Sequence, residues 1–132
     1  MNYLLDTTVL IHYLRGRLPV VVGLQDLSMA GHTLMVCPVN VAEVCSGMHP
    51  SDEEEAVSLL RGLSYVPISY QAAEFAGRLR YRLARAGLTL HMPDALIGAT
   101  GLQEDATLLT HNVKDFALVP GLRVQAFPAQ DR

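Results

Sequence analysis

Four acids stand apart from the rest of this 132-residue chain. Asp6, Glu43, Asp94 and Asp115 each sit where an apolar stretch ends or a helix is expected to begin. Asp6 follows Leu4-Leu5 and precedes Thr7-Thr8-Val9-Leu10-Ile11, Glu43 is framed by Val41-Ala42 and Val44, and Asp94 runs into Ala95-Leu96-Ile97-Gly98-Ala99. Surface acids keep polar company, as the run Asp52-Glu53-Glu54-Glu55 does. A carboxylate among apolar residues is costly to bury unless something compensates its charge. Four that converge repel: two unit charges ~5 Å apart at an effective dielectric of ~20 cost roughly 3 kcal/mol. A shared divalent cation removes that cost, and an all-oxygen ligand set favours Mg²⁺ or Mn²⁺ over zinc. The chemistry implied is metal-assisted work on a phosphate. Thr7, Thr8, Thr110 and Asn112 lie beside these acids and are suited to orient carboxylates or waters by hydrogen bonding.

Each acid taken singly has a plainer explanation. Asp6, Glu43 and Asp94 suit the positive end of a helix dipole, and Asp115 suits a turn in Asn112-Val113-Lys114-Asp115. The functional reading rests on all four meeting, so the elements that carry them decide it. Strands are expected at Asn2 to Leu5, Thr33 to Val39, Tyr65 to Ile68, Ala106 to Thr110 and Leu122 to Phe127, from their apolar and β-branched content. Helices are expected from Thr7 or Thr8 to about Arg15, from Pro19 to near Gly31, after an Asn40 cap, and from the Ser51-x-x-Glu54 capping box to about Leu63. Two more follow, from Gln71 to Ala86 with Gly87 as the stop, and from Pro93 to about Gln103. Alternating strands and helices of this length predict an α/β fold with a mostly parallel central sheet flanked by helices, in three layers. In such a sheet ligands bind beyond the carboxyl ends of the strands, where these acids fall.

Composition narrows the partners. Half the residues are hydrophobic and 17% are charged, which excludes a disordered chain and predicts a single domain over 1–132. The formal charge of −3 argues against holding nucleic acid by bulk electrostatics, although a bound cation would reverse the local sign at the acids. Asp6 interrupts the first apolar stretch and no run is long enough to span a bilayer, so a cytoplasmic protein away from membranes is expected. Cys37 and Cys45 match no zinc-ligand spacing and read as buried small hydrophobes. The five histidines show no HExxH and no pair four apart; His111 and His91 are the two near the acids. The densest basic stretch is Arg78, Arg80, Arg82 and Arg85. On a helix Arg78, Arg82 and Arg85 share a face with Tyr81 interleaved, a pattern that fits an RNA-binding surface or a solvated face with extended arginines. The Val20-Val21-Val22-Gly23-Leu24 stretch and the helix after Ser51 are more apolar than one helix face needs, which fits core or a partner groove.

Four segments in order resemble the PIN-domain family, and within it the VapC-type toxin ribonucleases: Asp6-Thr7-Thr8-Val9-Leu10-Ile11, Val41-Ala42-Glu43-Val44 with Gly47, Pro93-Asp94-Ala95-Leu96-Ile97-Gly98-Ala99, and Thr110-His111-Asn112-Val113-Lys114-Asp115-Phe116. The likeness runs from Asn2 to about Phe127. It implies a three-layer PIN-like fold with Asp6, Glu43, Asp94 and Asp115 forming an acidic metal pocket supported by Thr8 and Asn112. It also implies a Mg²⁺- or Mn²⁺-dependent endoribonuclease that leaves a 5′-phosphate and a 3′-hydroxyl, a homodimer, and a small antitoxin protein as partner. Two departures stand out. Gly98 and Gly101 occupy helix positions where similar proteins often carry alanine, and Asn112 stands where some relatives have a further acid. A haloacid-dehalogenase-like phosphatase also begins with an Asp after its first strand, but it needs a second acid at the position of Thr8. A non-catalytic PIN-like scaffold binding RNA or protein is the other alternative, and such scaffolds typically lose acids that this chain keeps.

Overall fold

In the computed structural model, which describes residues 1–129, the chain builds a five-stranded sheet with every neighbouring pair parallel. The strands are β1 (Asn2–Leu5), β2 (Thr33–Val36), β3 (Ser64–Tyr65), β4 (Thr107–Thr110) and β5 (Arg123–Ala126), in the order β3-β2-β1-β4-β5. The helices are α1 (Thr7–Leu14), α2 (Leu18–Met29), α3 (Pro38–Gly47), α4 (Glu53–Gly62), α5 (Tyr70–Arg85), α6 (Met92–Gln103) and α7 (Val113–Phe116). Chain order reverses between β1 and β4, so the crevice above their carboxyl ends is the natural ligand site of the sheet.

Strand alternation creates the two apolar layers. Tyr3, Leu5, Val36 and Leu109 face one way and pack with Val9, Leu10, Val20, Leu24, Val44 and Leu60 of α1 to α4. Leu4, Met35 and Leu108 face the other way and meet Ile97 and Phe116. A third cluster locks α5 to α6 through Ala72, Ala76, Leu79, Ala95 and Ala99. Leu4 and Leu5 are both fully buried, on opposite faces, as expected of a central parallel strand. Each such leucine contributes roughly 1.5–3 kcal/mol of burial.

Several expected boundaries shift. Strand β2 ends at Val36 rather than Val39, because Pro38 opens α3 one turn earlier than an Asn40 cap would. The cap residue is Cys37, and Asn40 lies one turn inside, its Oδ1 accepting from the Cys37 backbone N–H at 2.8 Å. Asp6, not Thr7 or Thr8, caps α1. The Ser51 capping box is replaced by a 3₁₀ turn at Pro50–Asp52, and α4 starts at Glu53. Strand β3 covers two residues instead of the four expected. The Asn112–Asp115 turn is a short helix, α7. Cys37 is buried as expected, but Cys45 is exposed, because α3 turns that face away from the core. Gly98 and Gly101 have a packing reason: an added Cβ would stand 2.8 Å from Val119 Cγ2 and 2.7 Å from Leu122 Cδ1. The glycines let α6 settle against the segment leading into β5, which offsets their lower helix propensity.

Candidate active site

The four acids arrive from four elements at the β1/β4 switch point. Asp6 follows β1 and caps α1; Glu43 rides on α3; Asp94 sits in the first turn of α6; Asp115 sits on α7 just after β4. Asp6 is the most enclosed, with 6% exposure. Its backbone N–H donates to the Leu109 carbonyl at 3.0 Å, which ties the ends of β1 and β4 together. Its carboxylate accepts from the Thr7 backbone N–H at 2.8 Å and from the Thr110 hydroxyl at 2.6 Å. Burial raises the Asp6 pKa; the bonds from Thr110 and Thr7 oppose that rise, Glu43 adds to it and His111 opposes it.

A buried amide sets the next acid. Asn40 has no exposed surface, and its Nδ2 donates to the Leu5 carbonyl at 3.0 Å and the Thr7 hydroxyl at 3.1 Å. Because Thr7 Oγ1 accepts there, its proton is free to go to Glu43 Oε1, 2.7 Å away. The result is a relay from Asn40 through Thr7 to Glu43 that fixes the carboxylate relative to the end of β1. At the other edge Thr110 Oγ1, while donating to Asp6, accepts from the Asn112 backbone N–H at 2.9 Å. The Asn112 side-chain amide then donates to Asp115 at 2.7 Å.

Asp94 responds to both its burial and these charges. Its pKa is pushed up to about 6, first by burial and then by Asp6, Glu43 and Asp115, with His91 opposing. All four acids therefore share one electrostatic environment. Among the described residues no three His, Cys, Asp or Glu side chains form a ready ligand shell, since Asp6, Glu43 and Asp115 are each drawn to their own hydroxyl or amide donor.

Thr110 and Asn112 stand against the acids as expected. Thr8 does not: it is exposed, and the hydroxyl that reaches Glu43 belongs to Thr7. Asn40 was missed as a site residue because its sequence context reads equally well as a helix cap. Arg78, Arg82 and Arg85 are exposed on α5. Arg78 pairs with Glu74 at 3.7 Å, and the Arg85 guanidinium lies over the Tyr81 ring, 4.7 Å from its centre. Arg80 points away from that face and donates to the Leu90 carbonyl at 2.8 Å, stitching α5 to the segment before α6.

This fold and this arrangement of acids have relatives. The PIN domain family model matches residues 3–122. The chain belongs to the PIN-domain family. It is 30% identical over 122 residues to Ribonuclease VapC19 of Mycobacterium tuberculosis, covering 91% of this chain and 96% of that protein. Among solved structures it is similar to a toxin-antitoxin complex from Klebsiella pneumoniae, with 28% identity, 91% and 94% of the two chains covered and a TM-score of 0.72. The Rickettsia felis VapBC2 structure, bound to a DNA fragment from their promoter, shares the fold at a TM-score of 0.82 with 24% identity over 96% of this chain and 99% of that one.

Proposed function

We propose that this protein is an endoribonuclease of the VapC type, the toxin of a toxin-antitoxin pair, using Mg²⁺ or Mn²⁺. The observation that carries the reading is the meeting of Asp6, Glu43, Asp94 and Asp115 at the β1/β4 switch point, three of them held by neutral hydroxyl or amide donors, with the Asp94 carboxyl pushed up to about 6 among them. Burial raises that value first and the three neighbouring carboxylates add to the rise; a hard cation would relieve that repulsion, and carboxylate oxygens are the donors such a cation takes. The residues fit the metal. Asp6, Glu43, Asp94 and Asp115 are the ligand candidates, with Thr7, Thr110 and Asn112 setting their orientation. Thr8, exposed at the first turn of α1, is placed to touch substrate or solvent rather than a carboxylate. When bound, a divalent cation supplies charge neutralisation, polarisation of a phosphate oxygen and a water acidic enough to act as nucleophile. The chain's own part is to hold the carboxylates, to orient Asp6 through the Thr7 N–H and the Thr110 hydroxyl, and to admit a phosphodiester at the open side of the crevice. Hydrolysis there leaves a 5′-phosphate and a 3′-hydroxyl.

RNA is the substrate class supported by the ribonuclease relatives, and the exposed Arg78, Arg82 and Arg85 are candidates for contact with its backbone. A small antitoxin protein is the partner supported by the toxin-antitoxin neighbours. An acidic crevice is best plugged by arginine, whose planar fork pairs with carboxylates. A cytoplasmic homodimer of one-domain subunits completes the proposal; no helix among the described residues is long and apolar enough to cross a membrane. Incubation of the purified protein with single-stranded RNA tests the reading. Cleavage should stop with EDTA and return with Mg²⁺ or Mn²⁺, and cleavage that survives exhaustive chelation would sink it. Expression alone should arrest growth, and co-expression with a small antitoxin protein encoded beside it should relieve the arrest.

A further inference from the structure

Two imidazoles meet at the rim of the crevice, and nothing in the metal chemistry uses them. His12 on α1 and His111 in the loop between β4 and α7 bring Nδ1 and Nε2 to 2.6 Å, with ring centroids 4.5 Å apart and planes tilted by 55°. They lie 99 residues apart, so the fold makes this contact. His111 sits between Thr110 and Asn112, each hydrogen-bonded to a crevice acid, and its charge acts on Asp6. His12 faces Arg15 at the end of α1 and Arg17 in the turn before α2. Burial, then Arg17, His111 and Arg15, lower its pKa.

Proton counting fixes what the pair presents outward. So short an N···N contact needs one N–H between the two nitrogens. In the neutral pair the donating ring has a bare outward nitrogen, while the accepting ring carries its hydrogen outward. One added proton fills the bare nitrogen. The singly protonated pair keeps its bridge, holds one positive charge and offers two outward N–H groups, at His12 Nε2 and His111 Nδ1. A second added proton would set two N–H groups face to face and break the contact. Neither outward nitrogen has a hydrogen-bond partner among the described residues.

We propose that this pair, carrying one added proton, binds an RNA backbone phosphate next to the scissile one. The inference rests on the ribonuclease reading above. The added proton gives the pair a positive charge and an outward N–H that donates to a non-bridging oxygen of a phosphodiester, and charge-assisted bonds of this kind are among the stronger ones. The crevice itself repels RNA, so compensation must come from its rim. Besides the acids, the charges acting on Asp6 and Asp94 are His111 and His91, not the α5 arginines. Arg15 and Arg17 add positive charge beside His12.

Calorimetric titration of wild type, His12→Gln and His111→Gln with a 2′-O-methyl oligoribonucleotide in EDTA tests the proposal. Repeating it in buffers of different ionisation enthalpy counts the protons taken up. Wild type should take up close to one proton more than either variant and bind up to about tenfold more tightly per pH unit of acidification between pH 8 and 6, the limit for one linked proton. Both variants should lose that response, and whatever pH dependence remains in all three belongs to the crevice carboxylates. Equal uptake and equal pH response in folded variants and wild type would overturn it. Mg²⁺-stimulated cleavage by wild type separates the two readings. If the enzyme cuts RNA and the histidine variants bind as wild type does, the phosphate site alone fails; histidine-dependent uptake without any cleavage would leave the site standing and remove the nuclease.

Discussion

The two ends of this sheet treat acids in opposite ways. At the amino end Asp105, before β4, is 89% exposed and meets the Arg123 guanidinium at 3.0 Å, so a side-chain cation answers its charge. At the carboxyl end Asp6, Glu43 and Asp115 receive neutral donors instead, the hydroxyls of Thr110 and Thr7 and the amide of Asn112. Neutral donors orient a carboxylate without cancelling it. An arginine in the crevice would have stabilised the fold and closed the site to any other cation. The difference teaches that the carboxyl end leaves its acids without a side-chain cation, and Asp94, pushed up to about 6 first by burial and then by the other acids, shows the cost.

Removing one of those charges should break the contrast most. Asp94→Asn keeps shape and first-turn position in α6 but leaves only three acids. Cleavage of RNA in saturating Mg²⁺ should fall by at least about 100-fold, the scale on which metal-site electrostatics act. Circular dichroism should find the variant folded. Wild-type turnover in a folded Asp94→Asn protein would remove Asp94 from the site.

Next in size is the amide beneath the crevice. Asn40 satisfies the Cys37 N–H, the Leu5 carbonyl and the Thr7 hydroxyl from a position with no exposed surface. Asn40→Ala leaves those groups unpaired and should cost about 3 kcal/mol in denaturant unfolding. It also frees the Thr7 hydroxyl to turn, so Mg²⁺ affinity should weaken beyond the loss of stability. A loss under about 1 kcal/mol would mean that water replaces the amide.

Asp6, Glu43 and Asp94 stood out in the sequence because each lies among apolar neighbours, and Asp6 and Asp94 could be placed at helix starts; Asp115, in a polar turn-like stretch, stood out only in company with the other three. The parallel sheet was legible from the alternation of strands and helices. What could not be read was which hydroxyl serves which acid. Thr7 and Thr8 are adjacent and chemically alike, and only the relative placement of β1 and α3 decides that Thr7 reaches Glu43. Asn40 carried a misleading signal of the same kind, since a cap residue and a buried relay residue look identical in one dimension. The His12–His111 contact joins residues 99 apart in the chain, and no local spacing encodes it.

The third prediction concerns pH. Asp94 binds its proton more tightly in the folded chain than in the unfolded one, where 3.8 is the ordinary value. Between about pH 4 and 6 the folded state therefore holds more protons, and stability contributed by this group falls as pH rises through that window. Asp94 is half-buried, so after solvent screening the metal-free loss is on the order of 1 kcal/mol. Thermal melts in EDTA at pH 5 and pH 7.5 should show it, Mg²⁺ should offset it, and Asp94→Asn should abolish it. Asp6, raised in the same direction, adds to the slope that remains.

The smallest effect belongs to the amino end. Arg123 donates to Asp105 Oδ1 at 3.0 Å and to the Asp105 carbonyl at 2.7 Å, and its own side chain is 53% exposed. An ion pair in water contributes about 0–1 kcal/mol, and salt screens it further. Asp105 also holds a left-handed backbone, with φ of 49°, that suits Asn as well as Asp. Asp105→Asn thus removes the charge and keeps the turn, so its stability should stay within about 0.5 kcal/mol of wild type. Its difference from wild type should shrink further in 0.5 M NaCl, and its response to Mg²⁺ should be unchanged. If this remote substitution altered the Mg²⁺ response as Asp94→Asn does, the two ends would be electrostatically one, and the crevice would lose its claim to be a separate store of negative charge.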